Sequence, residues 1–248
     1  MKPQNIVQLV IFLLGIICLI VSFFFDASST NGNGLAINTI LLSIGCSIIA
    51  AVIINFVDYH ITLPEIVTKN VIQSWKLVSI YETKQQMNDK TNELLKKASV
   101  IDIAAFGCSG LINFQGETLK KRLKKGLNIR FLIPNTDFDF IKQREKDENA
   151  AEGSITKSID YLISWVDETR NELSLPEGRI LIKKYSCLPM DSIMIIDDQL
   201  FTGPFMIKKL SQLSMAYHYK KGGTGYDYYS KYFNEIWNDS KISEWVRK

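Results

Sequence analysis

The chain has 248 residues, 46% hydrophobic and 22% charged, with 29 basic against 26 acidic side chains and a net charge of +3. This composition excludes an intrinsically disordered chain and a many-span transporter, and so small a positive excess does not by itself establish nucleic-acid binding. The charges are unevenly placed: positions 1–58 hold only Lys2, Asp26 and Asp58, which separates a membrane segment from a soluble domain.

Ile6 to Phe25 is a run of 20 uncharged residues, about 30 Å long as a helix, the thickness of a bilayer's hydrocarbon. A polar turn, Asp26 to Asn33, leads to a second uncharged run from Gly34 to Val57. The pattern predicts a transmembrane hairpin over 1–58, with spans at 6–25 and 34–57. A cleaved signal peptide is the competing reading of the first run. Against it stand the single lysine ahead of the run, the length of the run, and the second span that follows at once. Lys2 before the first span and Lys69 and Lys76 after the second put both termini in the cytoplasm. Cys18, Cys46, Cys108 and Cys187 form no CxxC and no Cys/His cluster, so no disulfide framework, metal site or cofactor is expected, and a reducing compartment fits. Asn38, Ser43 and Ser47 in the second span either pack the hairpin or line a pore between several copies.

Residues 59–98 read as a connecting helix. Pro64 opens it, Val67, Val71, Trp75 and Val78 recur at helical spacing, and neither Gly nor Pro interrupts Glu65 to Lys97. Such a helix either transmits motion to the membrane or is an inert spacer.

From 99 to 248 strands and helices alternate. Strands are predicted at Ser99–Phe106, Asn128–Ile133, Arg179–Lys184, Ser192–Asp197, Gln199–Thr202 and Leu213–Tyr219. Helices are predicted at Glu117–Gly126, Ser154–Asn171 and Tyr226–Trp237. The fold class is α/β with a mixed sheet, parallel at first and antiparallel later.

Gly126–Ile133, the segment Ile193–Asp198 and Gly203-Pro204 resemble the strand entries of phospholipase D-like domains, over roughly Ser99 to Trp237. The resemblance implies a phosphodiesterase-type fold whose active members use His-x-Lys, an aspartate five residues later and Gly-Ser. With that aspartate at Asp197, Met190 and Ser192 occupy the histidine and lysine positions and Pro204 follows Gly203, so the site reads as dead and the protein as a non-enzyme. His218-Tyr219-Lys220 with Asp227 is a rival, but its aspartate comes seven residues after the lysine. The loop Lys221–Gly225 beside it reads as a solvated turn or a phosphate loop.

Basic residues supply the candidate ligand contacts: Lys120, Lys121, Arg122 and Lys124 on one helix, and Lys183, Lys208, His218, Lys220 and Lys221 near strand ends, interleaved with tyrosines. A dead phosphodiesterase-like domain on a two-helix hairpin resembles the membrane effectors of bacterial anti-phage systems. That resemblance implies an antiviral-defence function in the bacterial inner membrane. A nucleotide or short single-stranded oligonucleotide, DNA included, would bind the domain and gate a homo-oligomeric, channel-like pore in the lipid bilayer. A nucleotidyltransferase would make the signal. An active tethered nuclease built on His218 and Lys220, and a non-enzymatic scaffold, are the alternatives.

Overall fold

The computed structural model describes residues 3–24, 37–188 and 191–247. Lys2, the turn Asp26–Asn33, the start of the second span at Gly34 and Met190 lie outside the described residues. The chain divides into two compact units, Met1–Lys69 and Asn70–Lys248.

The first unit contains helices α1 (Pro3–Ser22), α2 (Ile37–Val57) and α3 (Leu63–Thr68). α1 and α2 run antiparallel, and their glycines set the closeness. A Cβ on Gly45 would meet Leu19 at 2.9 Å and the Gly15 carbonyl at 3.0 Å, and one on Gly15 would meet Ile48 at 3.0 Å. Small residues at such a crossing let two backbones approach without lipid between them. Ser43 and Ser47 stand two residues either side of Gly45, about 200° around the helix from it. They are exposed, and their hydroxyls donate to the carbonyls of Thr39 (2.8 Å) and Ser43 (2.7 Å). Glycine, and not these polar groups, packs the hairpin, while Asn38 accepts from the Thr39 amide at 2.7 Å. Among the described residues one helix is long and apolar enough to cross a membrane, Ile37–Ser74, and Val7–Ser22 is a shorter apolar helix. Pro64 lies inside the longer one. It lacks an N–H, and a π-helical turn at Asp58–Thr62, closed by the Leu63 amide on the Asp58 carbonyl, carries the helix past it.

The second unit is one mixed sheet with helices on both faces. Its strands are β1 (Leu77–Tyr81), β2 (Val100–Ala104), β3 (Asn128–Pro134), β4 (Ile180–Tyr185), β5 (Asp191–Ile196), β6 (Gln199–Pro204), β7 (Ala216–Lys220) and β8 (Ser243–Arg247). They lie in the order β1-β7-β6-β5-β2-β3-β4-β8. β2, β3 and β4 are parallel, and β5, β6 and β7 antiparallel, as the sequence predicts. The helices are α4 (Asn88–Leu95), α5 (Ser109–Leu123), α6 (Asp139–Asp147), α7 (Ser154–Leu173) and α8 (Thr224–Asn238). Ile112, Leu119 and Leu123 of α5 and Ile155, Ile159, Leu162 and Val166 of α7 cover one face with Ile101, Ile103, Phe131 and Phe201. Tyr226, Phe233, Ile236 and Trp237 of α8 cover the other with Leu132, Ile193, Ile195 and Leu200. Buried on both faces, the central strands are apolar at nearly every position.

The connecting helix ends earlier than expected. Helical geometry stops at Ser74, and Leu77–Tyr81 is an edge strand paired to β7, with Ser79 opposite His218 and Ile80 opposite Tyr217. Lys76 makes the turn at φ 48°. Trp75 and Val78 therefore do not continue the stripe of Val67 and Val71. α6 and β8 are further elements absent from the sequence reading.

Under α8 lies an ion pair. Arg130 donates from Nε and Nη2 to the two carboxylate oxygens of Asp102, 2.6 Å each, and from Nη2 to Asn234 at 3.1 Å. Its guanidinium lies 5.0 Å from the Phe233 ring centre and 5.2 Å from that of Trp237. Removing one partner of such a pair strands the other charge. Asp102→Ala should cost about 2–4 kcal/mol, measured by denaturant unfolding with tryptophan fluorescence; a cost below 1 kcal/mol would mean the pair does not hold β2, β3 and α8 together.

Candidate ligand-binding cleft

A cavity of about 510 Å³ in the second unit opens between α4, the start of α5 and the sheet face of β5 and β6. Asn88 and Asn92 line it from α4 at one-turn spacing, and Gly110, Leu111, Phe114 and Gln115 line it from α5. Ser192, Met194 and Phe201 form its sheet wall, and Ser211 and Gln212 close it from the β6–β7 loop.

Lys84, three residues past β1, reaches its floor. The backbone there is pinned across the sheet end, with Lys84 N–H donating to the Ser214 carbonyl (2.8 Å) and Gln85 N–H to that of Gln212 (3.1 Å). The Lys84 side chain is 9% exposed. Its Nζ donates to the Gly203 carbonyl (3.2 Å) and to Ser211 Oγ (3.4 Å), leaving one of three N–H donors for a ligand. Ser192 Oγ also donates to the Gly203 carbonyl, at 3.2 Å. The approach requires glycine: a Cβ at 203 would lie 2.2 Å from the Met215 carbonyl and 3.0 Å from Lys84 Cε. Burial, and secondarily the positive charge of Arg144, lower the Lys84 ammonium to about 8, against the pull of Asp191 and Glu148. Arg144 is itself buried, ion-paired with Glu148, and donates to the Met206 carbonyl at 3.0 Å. Both cations approach the Phe205 ring, 5.1 Å from its centre.

The first turn of α5 brings the positive end of a helix dipole to the same wall, with the Ser109 amide donating to Ser158 Oγ at 3.3 Å. The cleft can therefore hold an anion. Among the described residues no group of three or more His, Cys, Asp or Glu could hold a metal ion. Burial pushes the Cys108 thiol up to about 12, which keeps it protonated in the core, outside the cleft lining.

The basic residues named by the sequence do not gather here. Lys120, Lys121, Arg122 and Lys124 lie at the far end of α5, where cations complement the helix dipole. Lys120 pairs with Glu172 at 2.5 Å, and Arg122 donates to the Ala98 carbonyl at 2.9 and 2.7 Å. Lys183 is buried, donates to the Trp237 carbonyl at 2.6 Å and sits 4.6 Å from the Trp245 ring centre. Lys208 is exposed in the β6–β7 loop, its amide on the Asp147 carbonyl. Lys220 and Lys221 are exposed at the end of β7, with Lys220 4.0 Å from Asp198. His218 is 1% exposed, stacks on Phe201 at 4.2 Å and donates from Nε2 to Gln199 at 2.7 Å; it is a core residue outside the cleft lining. The glycine loop after it also lies outside the cleft lining. A Cβ on Gly225 would lie 2.3 Å from the Tyr219 ring and one on Gly223 2.5 Å from the Trp75 carbonyl, so its glycines pack against the chain itself. Asp197, at φ 51°, accepts the amides of Ser99 and Val100 at 3.0 and 2.9 Å and so clamps the β5–β6 turn to β2. Sequence reasoning missed Lys84, because Leu77–Tyr81 reads as part of the connecting helix and no residue pattern marks a strand before it.

The model of a domain of unknown function, DUF5919, matches residues 76–212. The chain belongs to that family. The matched stretch begins one residue before β1 and ends in the β6–β7 loop, so it contains Lys84, Gly203 and Gln212. No curated protein matches the chain. Among solved structures, TrmBL2, an archaeal chromatin protein described as showing a novel mode of DNA binding, is similar at 13% identity and a TM-score of 0.40, over 79% of this chain and 69% of its own. NucT from Helicobacter pylori is similar at 13% identity and a TM-score of 0.39, over 64% of this chain and 94% of its own.

Burial, and secondarily the charge of Lys90, hold His218 at about 4, below the usual 6.5. The unfolded chain takes up this proton near pH 6.5 and the folded chain only near 4, so acid favours unfolding across that window. Between pH 6.5 and 4 the wild type should lose more thermal stability than His218→Phe, read as the melting temperature at each pH. Parallel profiles would remove His218 as the responsible group.

Proposed function

We propose that the protein is a membrane-tethered sensor whose second unit binds a phosphate-bearing ligand, a nucleotide or short oligonucleotide, without cutting it. Binding biases an oligomeric pore formed by the N-terminal helices of several copies. The observation that carries this reading is the Lys84 ammonium, buried on the cleft floor beside a helix N-terminus and lacking any neighbouring histidine nucleophile. Ser192 faces the cleft where the phospholipase D-like resemblance expects a lysine, and Lys84 brings a cation to the same Gly203 carbonyl from another part of the chain. An anion-binding phosphodiesterase-like site without its nucleophile binds and does not cleave. Two helices enclose no channel alone, so copies must assemble. The inner membrane, with both termini cytoplasmic, and a role in antiviral defence fed by a signal-making nucleotidyltransferase complete the proposal.

Lys84→Met should weaken binding of tripolyphosphate or ATP about 10- to 100-fold, the loss of one charge-assisted hydrogen bond in a partly dry site. A ligand anion favours the protonated amine. Below pH 8 the lysine already carries its proton; above it, binding must recruit one. Wild-type affinity should therefore be flat below pH 8 and fall up to about tenfold per unit above it, by titration calorimetry on the detergent-solubilised chain. Affinity indifferent to both changes would exclude Lys84.

Ligand addition should also change dye leakage from liposomes containing the wild type and not from those containing Lys84→Met. Leakage that ignores the ligand in both would leave the soluble unit uncoupled from the bilayer. Release of cleaved product would instead support an active phosphodiesterase.

A further inference from the structure

The lining of the cleft says more about the ligand than its charge. Around Lys84, besides the exposed Gln85 next to it in the chain, stand the amide side chains of Asn88, Asn92, Gln115 and Gln212, with no Asp, Glu, Arg or His among the lining residues. None of these four amides makes a side-chain hydrogen bond to the chain among the described residues, so their donors and acceptors are unspent. They come from three separate segments, α4, α5 and the β6–β7 loop, and the Gln212 Nε2 lies over Gly110, 3.3 Å from where a Cβ would stand. At the lip is Phe114, 83% exposed. It is an exposed aromatic face on a helix that buries Ile112, Leu119 and Leu123 and half-buries Leu111.

An exposed aromatic beside a cation is the pairing that stacks a nucleobase while its phosphate is neutralised. The surrounding side chains select among bases. Asn and Gln present a donor and an acceptor side by side, matching the amine and ring nitrogen of adenine. Arg or Lys pairs best with guanine's acceptors and Glu or Asp with cytosine's amine. The cleft has the first set at its walls and lacks carboxylates and guanidinium groups. Its volume of about 510 Å³ falls in the range that encloses a small ligand such as one or two nucleotides.

We infer that the cleft is an adenine-nucleotide site, in which the base lies against Phe114, its edge is read by the amides of α4, α5 and the β6–β7 loop, and a phosphate reaches Lys84. This inference rests on the anion-binding reading above and goes beyond it in naming the base.

The test is calorimetric titration of the full chain in detergent with ATP, GTP, CTP, UTP, the corresponding 5′-phosphorylated homodinucleotides, and tripolyphosphate. The adenine member of the triphosphates or of the dinucleotides should bind at least tenfold tighter than the other three. Phe114→Ala, at an exposed position that the fold does not use, should weaken that adenine ligand about tenfold and leave tripolyphosphate affinity unchanged. Asn92→Leu should narrow the gap between adenine and the other bases. Equal affinity for all four bases, unaltered by Phe114→Ala, overturns adenine recognition while leaving the anion site standing. If neither nucleotides nor tripolyphosphate bind, the anion site falls and this inference with it.

Discussion

A lysine ammonium taken out of water must be met by oxygen atoms, and the second unit is arranged around meeting that demand at Lys84. The Gly203 carbonyl and the Ser211 hydroxyl both turn toward Nζ. The lysine's own backbone is pinned to Ser214, and the residue beneath it has no side chain. An unpaired charge so placed would cost several kcal/mol, so β1, β6 and the β6–β7 loop are held in mutual position by one side chain. The cleft lies between that arrangement, α4 and the start of α5.

The two faces of the sheet do different work. The α8 face is closed by stacked rings over Arg130 and Asp102. The opposite face is apolar beneath α5 and α7 and gives way to hydroxyl and amide groups only where α4 begins. The cleft thus sits at the rim of the larger core, on helices and strands, with one loop completing it.

Much of this was legible in the sequence. The parallel-then-antiparallel sheet followed from apolar strands such as Asn128–Ile133 and Ser192–Asp197, and α7 and α8 from their spaced apolar residues. β1 was hidden because helical residues run unbroken to Ser74, and the turn is made by Lys76 at positive φ, a conformation no Gly or Asn announced. α6 was hidden because it buries Arg144 and Glu145 beside one apolar residue, Ile141, so no apolar period marks it. Lys84 went unnoticed for a related reason. Basic runs are conspicuous, yet Lys120, Arg122 and Lys183 are held by carboxylate or carbonyl partners within the chain. The cation on the cleft floor is a single lysine after a strand that pattern alone could not see.

Asp197 carries a lesson for reading relatives of this chain. Its carboxylate fastens the hairpin to β2 through two main-chain amides, a job of architecture that persists whether or not any reaction occurs nearby. Selection for folding alone would preserve it. A relative that keeps this acid therefore advertises an intact turn, and a search that scores the acid as one part of a hydrolytic signature would credit inert proteins with chemistry they do not perform.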